Sequence, residues 1–215
     1  MRIGTWNLAG RWDARHFALI ETMDCDVLLL TEVSERVEIP GYALHVGRLL
    51  MSPRRRWAAV ASRSPMAAMT DPHGASAMAV VDGLRVCSSI LPWRSCGSRE
   101  PWVGANTAER TTTAVAAIEL ATPVVWGGDW NHALSGREWA GSVAGRRSVL
   151  EAVERLGLHA PTAVSPHQIE GLLSIDHIAV PNSWVVSDTQ RHQAFVDDTR
   201  ISDHDAYVVE AANGG

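Results

Sequence analysis

Lysine is absent from this 215-residue chain, and all 19 of its basic residues are arginine. That absence excludes a Schiff-base lysine, a lysine nucleophile and the lysine of a phosphate-binding P-loop. Cysteine is scarce. Cys25, Cys87 and Cys96 form an odd set with no CxxC pair, so neither a disulfide framework nor a thiolate zinc site is expected. Cys25 and Cys87 lie in or beside apolar segments and read as small core residues. Long apolar runs are missing too. Val27 to Leu30 and Ala77 to Val81 fall far short of a membrane span. The opening MRIGTWNLAG lacks the basic-then-apolar pattern of a secretory signal, so a reduced, cytoplasmic protein is expected. No HxH pair and no HExxH occur, which disfavours a zinc hydrolase. A net charge of −5 excludes a chain that holds nucleic acid by bulk basicity alone.

What is present is an ordinary globular composition, 46% hydrophobic and 20% charged. A chain this long buries roughly 70% of its unfolded surface and needs no metal or disulfide staple to fold. Arg2 to Trp6 and Val27 to Thr31 read as strands, the second nearly all apolar and so covered on both faces. Between them Trp12 to Met23 reads as a helix, with Trp12, His16, Leu19, Ile20 and Met23 on one face. Tyr42 to Val46 and Trp57 to Ala61 read as further strands. Ala77 to Val81, Asp82-Gly83 and Leu84 to Ile90 spell a hairpin, because Asp-Gly suits a two-residue type I′ turn. A helix over Thr107 to Leu120 has Asn106 as its cap and Glu109 three residues on. Val124 to Trp126 is a buried strand. Val149, Leu150, Val153 and Leu156 mark another helix, stopped by Gly157. Ser174 to Val180, Ser183 to Ser187 and Ala206 to Glu210 are the closing strands. Interleaved strands and helices without a linker predict one mixed α/β domain over residues 1–215.

The polar residues that carry chemistry sit at strand ends, where a rigid mount faces a cleft. Asp129 and Asn131, in Gly127-Gly128-Asp129-Trp130-Asn131, alternate along extended backbone and can point the same way. A carboxylate beside a carboxamide fits a site that orients water and donates to an oxyanion, although the same residues also form turns. His204 can move a proton near neutral pH when a carboxylate fixes its tautomer, and Asp176 can supply that carboxylate. Asp203 is then left for a metal; the plainer reading of Asp203-His204 is a loop entering the last strand. Glu32 ends a sheltered apolar strand and wants a cation, for which a hard divalent ion is a natural partner; the plainer reading is a strand-end glutamate facing solvent or an arginine. Asn7, after Gly4-Thr5-Trp6, is by itself no more than a turn former.

The ordered set Trp6-Asn7, Leu30-Thr31-Glu32, Gly128-Asp129-Trp130-Asn131, Ile175-Asp176-His177 and Ser202-Asp203-His204 resembles the endonuclease/exonuclease/phosphatase superfamily, the DNase I-like fold. Trp57 to Met66, with Ala61-Ser62-Arg63-Ser64-Pro65, resembles that family's strand-turn before its middle hairpin. The resemblance implies a four-layer α/β/β/α sandwich, two mixed sheets face to face with helices outside. It implies hydrolysis of phosphate esters with Mg2+, or Mn2+. It assigns Glu32 as principal metal ligand with Asn7 beside it, and Asp203 near the metal or a second one. Asp129 would activate water, Asn131 would bond a phosphate oxygen, and His204, held by Asp176, would contact the scissile phosphate. The expected substrate is DNA or RNA. The alternatives are a small phosphorylated molecule or a lipid headgroup, or an idle domain that only binds a partner.

Two positions depart from the family pattern. Ile90 stands where many members carry histidine or tyrosine, and Ala9 where some nucleases carry an acid; Arg94 is the candidate replacement contact. Arg54-Arg55-Arg56 reads either as a phosphate-facing run or as a solvated loop. Trp93, Trp102, Trp130 and Trp139 fall in expected loops, either stacking on bases or filling core. His132 and His177, which adjoin motif residues, read as structural or as part of the site's rim.

Overall fold

The computed structural model describes residues 1–214; Gly215, the last residue of the expected domain, lies outside them. The elements begin with β1 (Arg2–Asn7), α1 (Ala14–Met23), β2 (Val27–Ser34), β3 (Ala43–Val46), β4 (Leu50–Ser52) and β5 (Arg55–Ser62). Next come β6 (Met66–Ala68), β7 (Ser76–Val81), β8 (Leu84–Ser89), α2 (Thr107–Leu120), β9 (Val125–Asp129) and α3 (Val143–Arg155). After them run β10 (Leu158–His159), a 3-10 turn (Pro161–Val164), β11 (Asp176–Pro181) and β12 (Trp184–His192). The hairpin β13 (Phe195–Val196) and β14 (Thr199–Arg200) precedes the final strand β15 (Ala206–Asn213).

Two mixed sheets result. The first runs β12-β15-β1-β2-β5-β3, with β4 also on β5. Within it only β1 and β2 are parallel, because α1 carries the chain back between them. The second runs β10-β11-β9-β8-β7-β6, and its one parallel pair, β8 and β9, is bridged by α2.

Alternation along the strands sorts side chains into layers. Ile3, Val27, Leu29, Ala58 and Val60 of the first sheet pack against Ala77, Ala79, Val125 and Ile178 of the second. The intervening Trp6, Leu28, Leu30 and Ala59 face outward onto Leu19, Ile20 and Met23 of α1. Met78, Cys87 and Trp126 face the other way, onto Val115 and Ile118 of α2 and Val149 and Val153 of α3. The result is the four-layer order of helix, sheet, sheet and helices. Among the described residues no helix is long and apolar enough to cross a membrane.

Local chemistry explains the element ends. Asp82 (φ 49°) and Gly83 (φ 80°) both take the left-handed region, as a type I′ turn requires, and Val81 pairs with Leu84. The first helix begins two residues later than its apolar face suggests. Asp13 takes the cap and accepts from the Arg15 amide, while His16 Nδ1 accepts the Asp13 amide at 3.1 Å. Trp12 therefore precedes the helix and packs on the His16 ring, 5.9 Å between centroids. Asn106 caps α2 by accepting from the Glu109 amide. In α3 the buried stripe is Gly145, Val149, Ala152 and Val153; Leu150 lies about 100° round from Val149 and is exposed. The short strands β4, β6, β10, β13 and β14, two or three residues each, carry no legible alternation.

Candidate active site

Both sheets bring polar strand ends to one edge of the sandwich. Asn7 ends β1, and its parallel neighbour β2 carries Glu32 one residue past Thr31, the partner of Asn7. Asp129 ends β9 directly opposite Asp176, which starts β11. His204 enters β15 from the first sheet's side. Glycine makes the approach of β9 possible. Gly128 has φ 124°, and a Cβ there would collide with the Ser89 carbonyl of β8.

The side chains form one connected line. Asn7 Nδ2 donates to Glu32 Oε1 (3.3 Å) and to Asp129 Oδ2 (3.0 Å). His204 Nε2 stands 3.9 Å from Asp129 Oδ2, and His204 Nδ1 is 2.8 Å from Asp176 Oδ2. Asn131, also at positive φ (51°), gives its backbone N–H to Asp129 Oδ1 (3.1 Å) and one amide hydrogen to the Leu91 carbonyl (3.1 Å). Asn7 Oδ1 accepts the Ala9 amide at 2.9 Å, which fixes the carboxamide with its NH2 toward the two acids. Asn7 thus presents a donor to the site, not a ligand oxygen. Ser202 ties the two sides together: its hydroxyl donates to the Asn7 carbonyl (2.6 Å) and accepts from the His204 amide (3.2 Å). Sequence reading gave Ser202 no role, though it opens the Ser-Asp-His motif.

Burial and charge shape the proton affinities. Burial raises Asp129 to about 7, with Asp176 and Glu32 adding to the rise and His204 and Asn7 opposing it. Burial alone would lower His204, but Asp176 and Asp129 outweigh it and hold the ring protonated, up to about 10. Asp176 Oδ1 is buried with no hydrogen-bond partner.

Two donor sets could accept a cation. Ligand atoms of Asp129, Asp176 and His204 lie within 4.8 Å of one another. Glu32 and exposed Asp203 share a cavity of about 380 Å³ with Ala9, Arg11, Arg55 and Arg200. In the first set a proton already bridges Asp176 and His204, so an ion there would have to displace it. The second offers oxygen ligands with room for water, the donor chemistry of magnesium, which keeps several waters and takes one or two carboxylates.

Arginine surrounds the second set. Arg55 Nη1 is 2.6 Å from Glu32 Oε2, an ion pair that makes Arg55 part of the site. Its signal was the Arg54-Arg55-Arg56 run, whose members part company: Arg56 reaches Glu35 and the Arg48 carbonyl, and Arg54 is exposed at φ 62°. An adjoining cavity of about 430 Å³ is lined by Arg11, Arg36, Arg54 and Arg55. Among the described residues no carboxylate pairs with Arg11, Arg36 or Arg54.

Other sequence candidates lie outside this line. Ile90 is core, and Arg94 turns its Nε to the Gly141 carbonyl (3.4 Å), so it packs a loop instead of filling the gap at position 90. Trp130 is fully buried against Trp126, 4.2 Å between centroids, and Trp102 is buried against Trp57; both are core, not stacking platforms. Trp93 packs half-buried on the same cluster, and Trp139 caps His167 edge-on at 4.7 Å. His132 and His177 are buried and structural, His177 Nε2 lying 2.9 Å from the His132 carbonyl.

The model of the Endonuclease/Exonuclease/phosphatase family matches residues 4–204. Similar solved structures include the endonuclease domain of TRAS1, a telomere-specific non-LTR retrotransposon, at 14% identity and TM-score 0.70, covering 100% of this chain and 99% of that one. A 3′ phosphatase from Neisseria bound to product DNA hairpin gives 19% identity and TM-score 0.68, with 98% of each chain covered. An AP endonuclease from Archaeoglobus fulgidus gives 15% and 0.70, again with 98% of each chain covered. Identities this low speak for the shared fold. No curated protein matches the sequence.

Proposed function

From a chain that belongs to the endonuclease/exonuclease/phosphatase family, we propose a divalent-metal-dependent phosphodiester hydrolase whose substrate is nucleic acid, working as one domain over 1–215. The observation that carries this reading is the line Glu32–Asn7–Asp129–His204–Asp176, hydrogen-bonded at each step except the 3.9 Å gap between Asp129 and His204. An idle binding domain has no need of a buried, protonated histidine between two carboxylates.

Glu32 and Asp203 are the residues that would hold magnesium or manganese. When bound, such an ion neutralises phosphate oxygens and steadies the leaving oxygen. Asp129 takes the proton of the attacking water. Its two oxygens are fixed by Asn7 and by the Asn131 amide, and a value raised to about 7 suits a base working near neutrality. His204 Nε2 is too far from Asp129 for a hydrogen bond, so its N–H is free to meet a phosphate oxygen, while Asp176 keeps the ring charged and oriented. The second amide hydrogen of Asn131 is also available to the phosphate. Asn7 donates between the two acids and spaces them.

Polynucleotide is favoured over a small or lipid-borne phosphate by the unpaired Arg11, Arg36 and Arg54 beside Glu32, since further backbone phosphates need cations beyond the scissile one. Unpaired Cys25, Cys87 and Cys96 support the reduced, cytoplasmic setting. The test is a panel of duplex DNA, single-stranded oligonucleotide, RNA, a phosphoinositide and a small phosphodiester, each with Mg2+ or with chelator. Cleavage of nucleic acid should vanish with chelator and in Asp129→Ala and His204→Ala. Turnover retained in the alanine variants refutes the assignment; turnover of the small or lipid substrates alone transfers it to them.

A further inference from the structure

We propose that Arg55 is a tethered rival of the divalent ion at Glu32: its guanidinium holds the carboxylate and must leave for metal to load. The inference rests on the reading of Glu32 as a metal ligand. Both oxygens of Glu32 are engaged, Oε2 by Arg55 at 2.6 Å and Oε1 by Asn7 at 3.3 Å. A doubly charged ion and a guanidinium cannot share one carboxylate oxygen, because like charges at contact repel strongly.

The seat of Arg55 is built into the backbone. Gly10, at φ 69°, lies against the guanidinium: a Cβ there would overlap Nε and come within 2.5 Å of Cζ and Nη2. The Gly10 amide donates to the Glu32 carbonyl at 2.8 Å, so the loop that covers Arg55 is pinned to the residue Arg55 neutralises. Glu32 itself is at φ 49°, a region L side chains seldom adopt, which turns its carboxylate toward Asn7 and Arg55. The root of Arg55 is fixed, since its backbone pairs with Ser34 of β2 and Ser52 of β4. Only the side chain can move, and it has a place to go. A third of its surface is already exposed, and it borders the cavity shared with Arg11, Arg36 and Arg54. Metal loading is therefore an exchange of cations at Glu32, and the exchange raises the metal concentration needed to half-fill the site.

The experiment titrates Mn2+ into metal-free protein and follows free Mn2+ by electron paramagnetic resonance, for wild type, Arg55→Gln, Gly10→Ala and Glu32→Gln. Thermal melts check that each variant is folded. Arg55→Gln should bind Mn2+ about tenfold tighter, the change expected on removing one positive charge ~6 Å from a doubly charged ion at water-like screening. Gly10→Ala, if folded, should tighten binding as well by dislodging the guanidinium; if it unfolds, Arg55→Gln decides. Equal or weaker binding by Arg55→Gln, with wild-type binding lost in Glu32→Gln, overturns the rivalry and leaves the metal site intact. Mn2+ binding that ignores Glu32→Gln, or no binding at all, overturns the rivalry and the metal assignment of Glu32 together.

Discussion

Replacing Asp176 by asparagine tests the role of His204 most directly. Asp176 is buried, and its Oδ2 sits 2.8 Å from His204 Nδ1. Burial pulls the His204 proton affinity down, and Asp176 is the leading influence that lifts it to about 10. In Asp176→Asn the leading charge and its hydrogen bond are gone, only Asp129 and Asp203 still oppose burial, and the ring is expected to fall toward its ordinary 6.5. A fall of about 3 units corresponds to ~4 kcal/mol between the two protonation states. The sign follows from the chemistry. The protonated ring is the active form, so activity is lost as pH rises through the His204 value. Wild type should therefore hold its rate to about pH 10 on the alkaline side, whereas Asp176→Asn should begin to lose rate near pH 6.5. At pH 8 a ring at 6.5 is protonated about one part in 30, which alone lowers the variant ~30-fold against a fully protonated ring. Loss of orientation adds to this, within the ~10²–10⁴-fold a positioned acid supplies. The assay is a pH–rate profile of cleavage at saturating metal, with circular dichroism to show that the variant is folded. An alkaline limb unmoved by the substitution would refute the view that Asp176 keeps His204 charged.

Two further outcomes concern stability. Gly128→Ala should cost at least ~2 kcal/mol by urea denaturation, since φ 124° is strained for any L side chain and the methyl meets the Ser89 backbone; a variant as stable as wild type would contradict the close approach of β8 and β9. His177 is fully buried and lowered to about 4 by that burial. The folded ring stays neutral while the unfolded one takes up a proton below 6.5, so stability is complete above pH 6.5 and falls as pH drops toward 4, by up to ~3 kcal/mol. Chemical denaturation of His177→Asn at several pH values should show a flatter slope over that window, and an unchanged slope would exclude His177 as the source.

Much of this was legible because the central strands are short, nearly unbroken apolar runs. Val27 to Leu30 shows no polar break, and it became a central strand buried on both faces. The Asp82-Gly83 turn and the Asn106 cap act through their immediate neighbours, so sequence suffices for them. The convergence of Asn7, Glu32, Asp129, Asp176 and His204 was visible only through ordered motifs, because strands from two sheets meet there. Arg55 escaped notice for a physical reason. Its run of three arginines reads as a solvated turn, and only strand pairing between β5 and β2 sends the middle one to Glu32. Trp102 and Trp130 were open to either reading, base platform or core: they follow no apolar periodicity, and tertiary packing decides for the core.

The composition of the inner layer reaches the chemistry indirectly. Asn7, Glu32 and His204 hang from one sheet, Asp129 and Asp176 from the other, and between the sheets lie Ala58, Ala77, Ala79 and Ala211 among valines, with Ile3, Ile178 and Leu29. Short side chains fill the space between the two slabs, so the gap they set is also the gauge of the distance from acid to imidazole. The spacing of Asp129 and His204 is accordingly a ruler for the seam: a bulkier side chain wedged there would be felt between acid and imidazole long before any strand came undone.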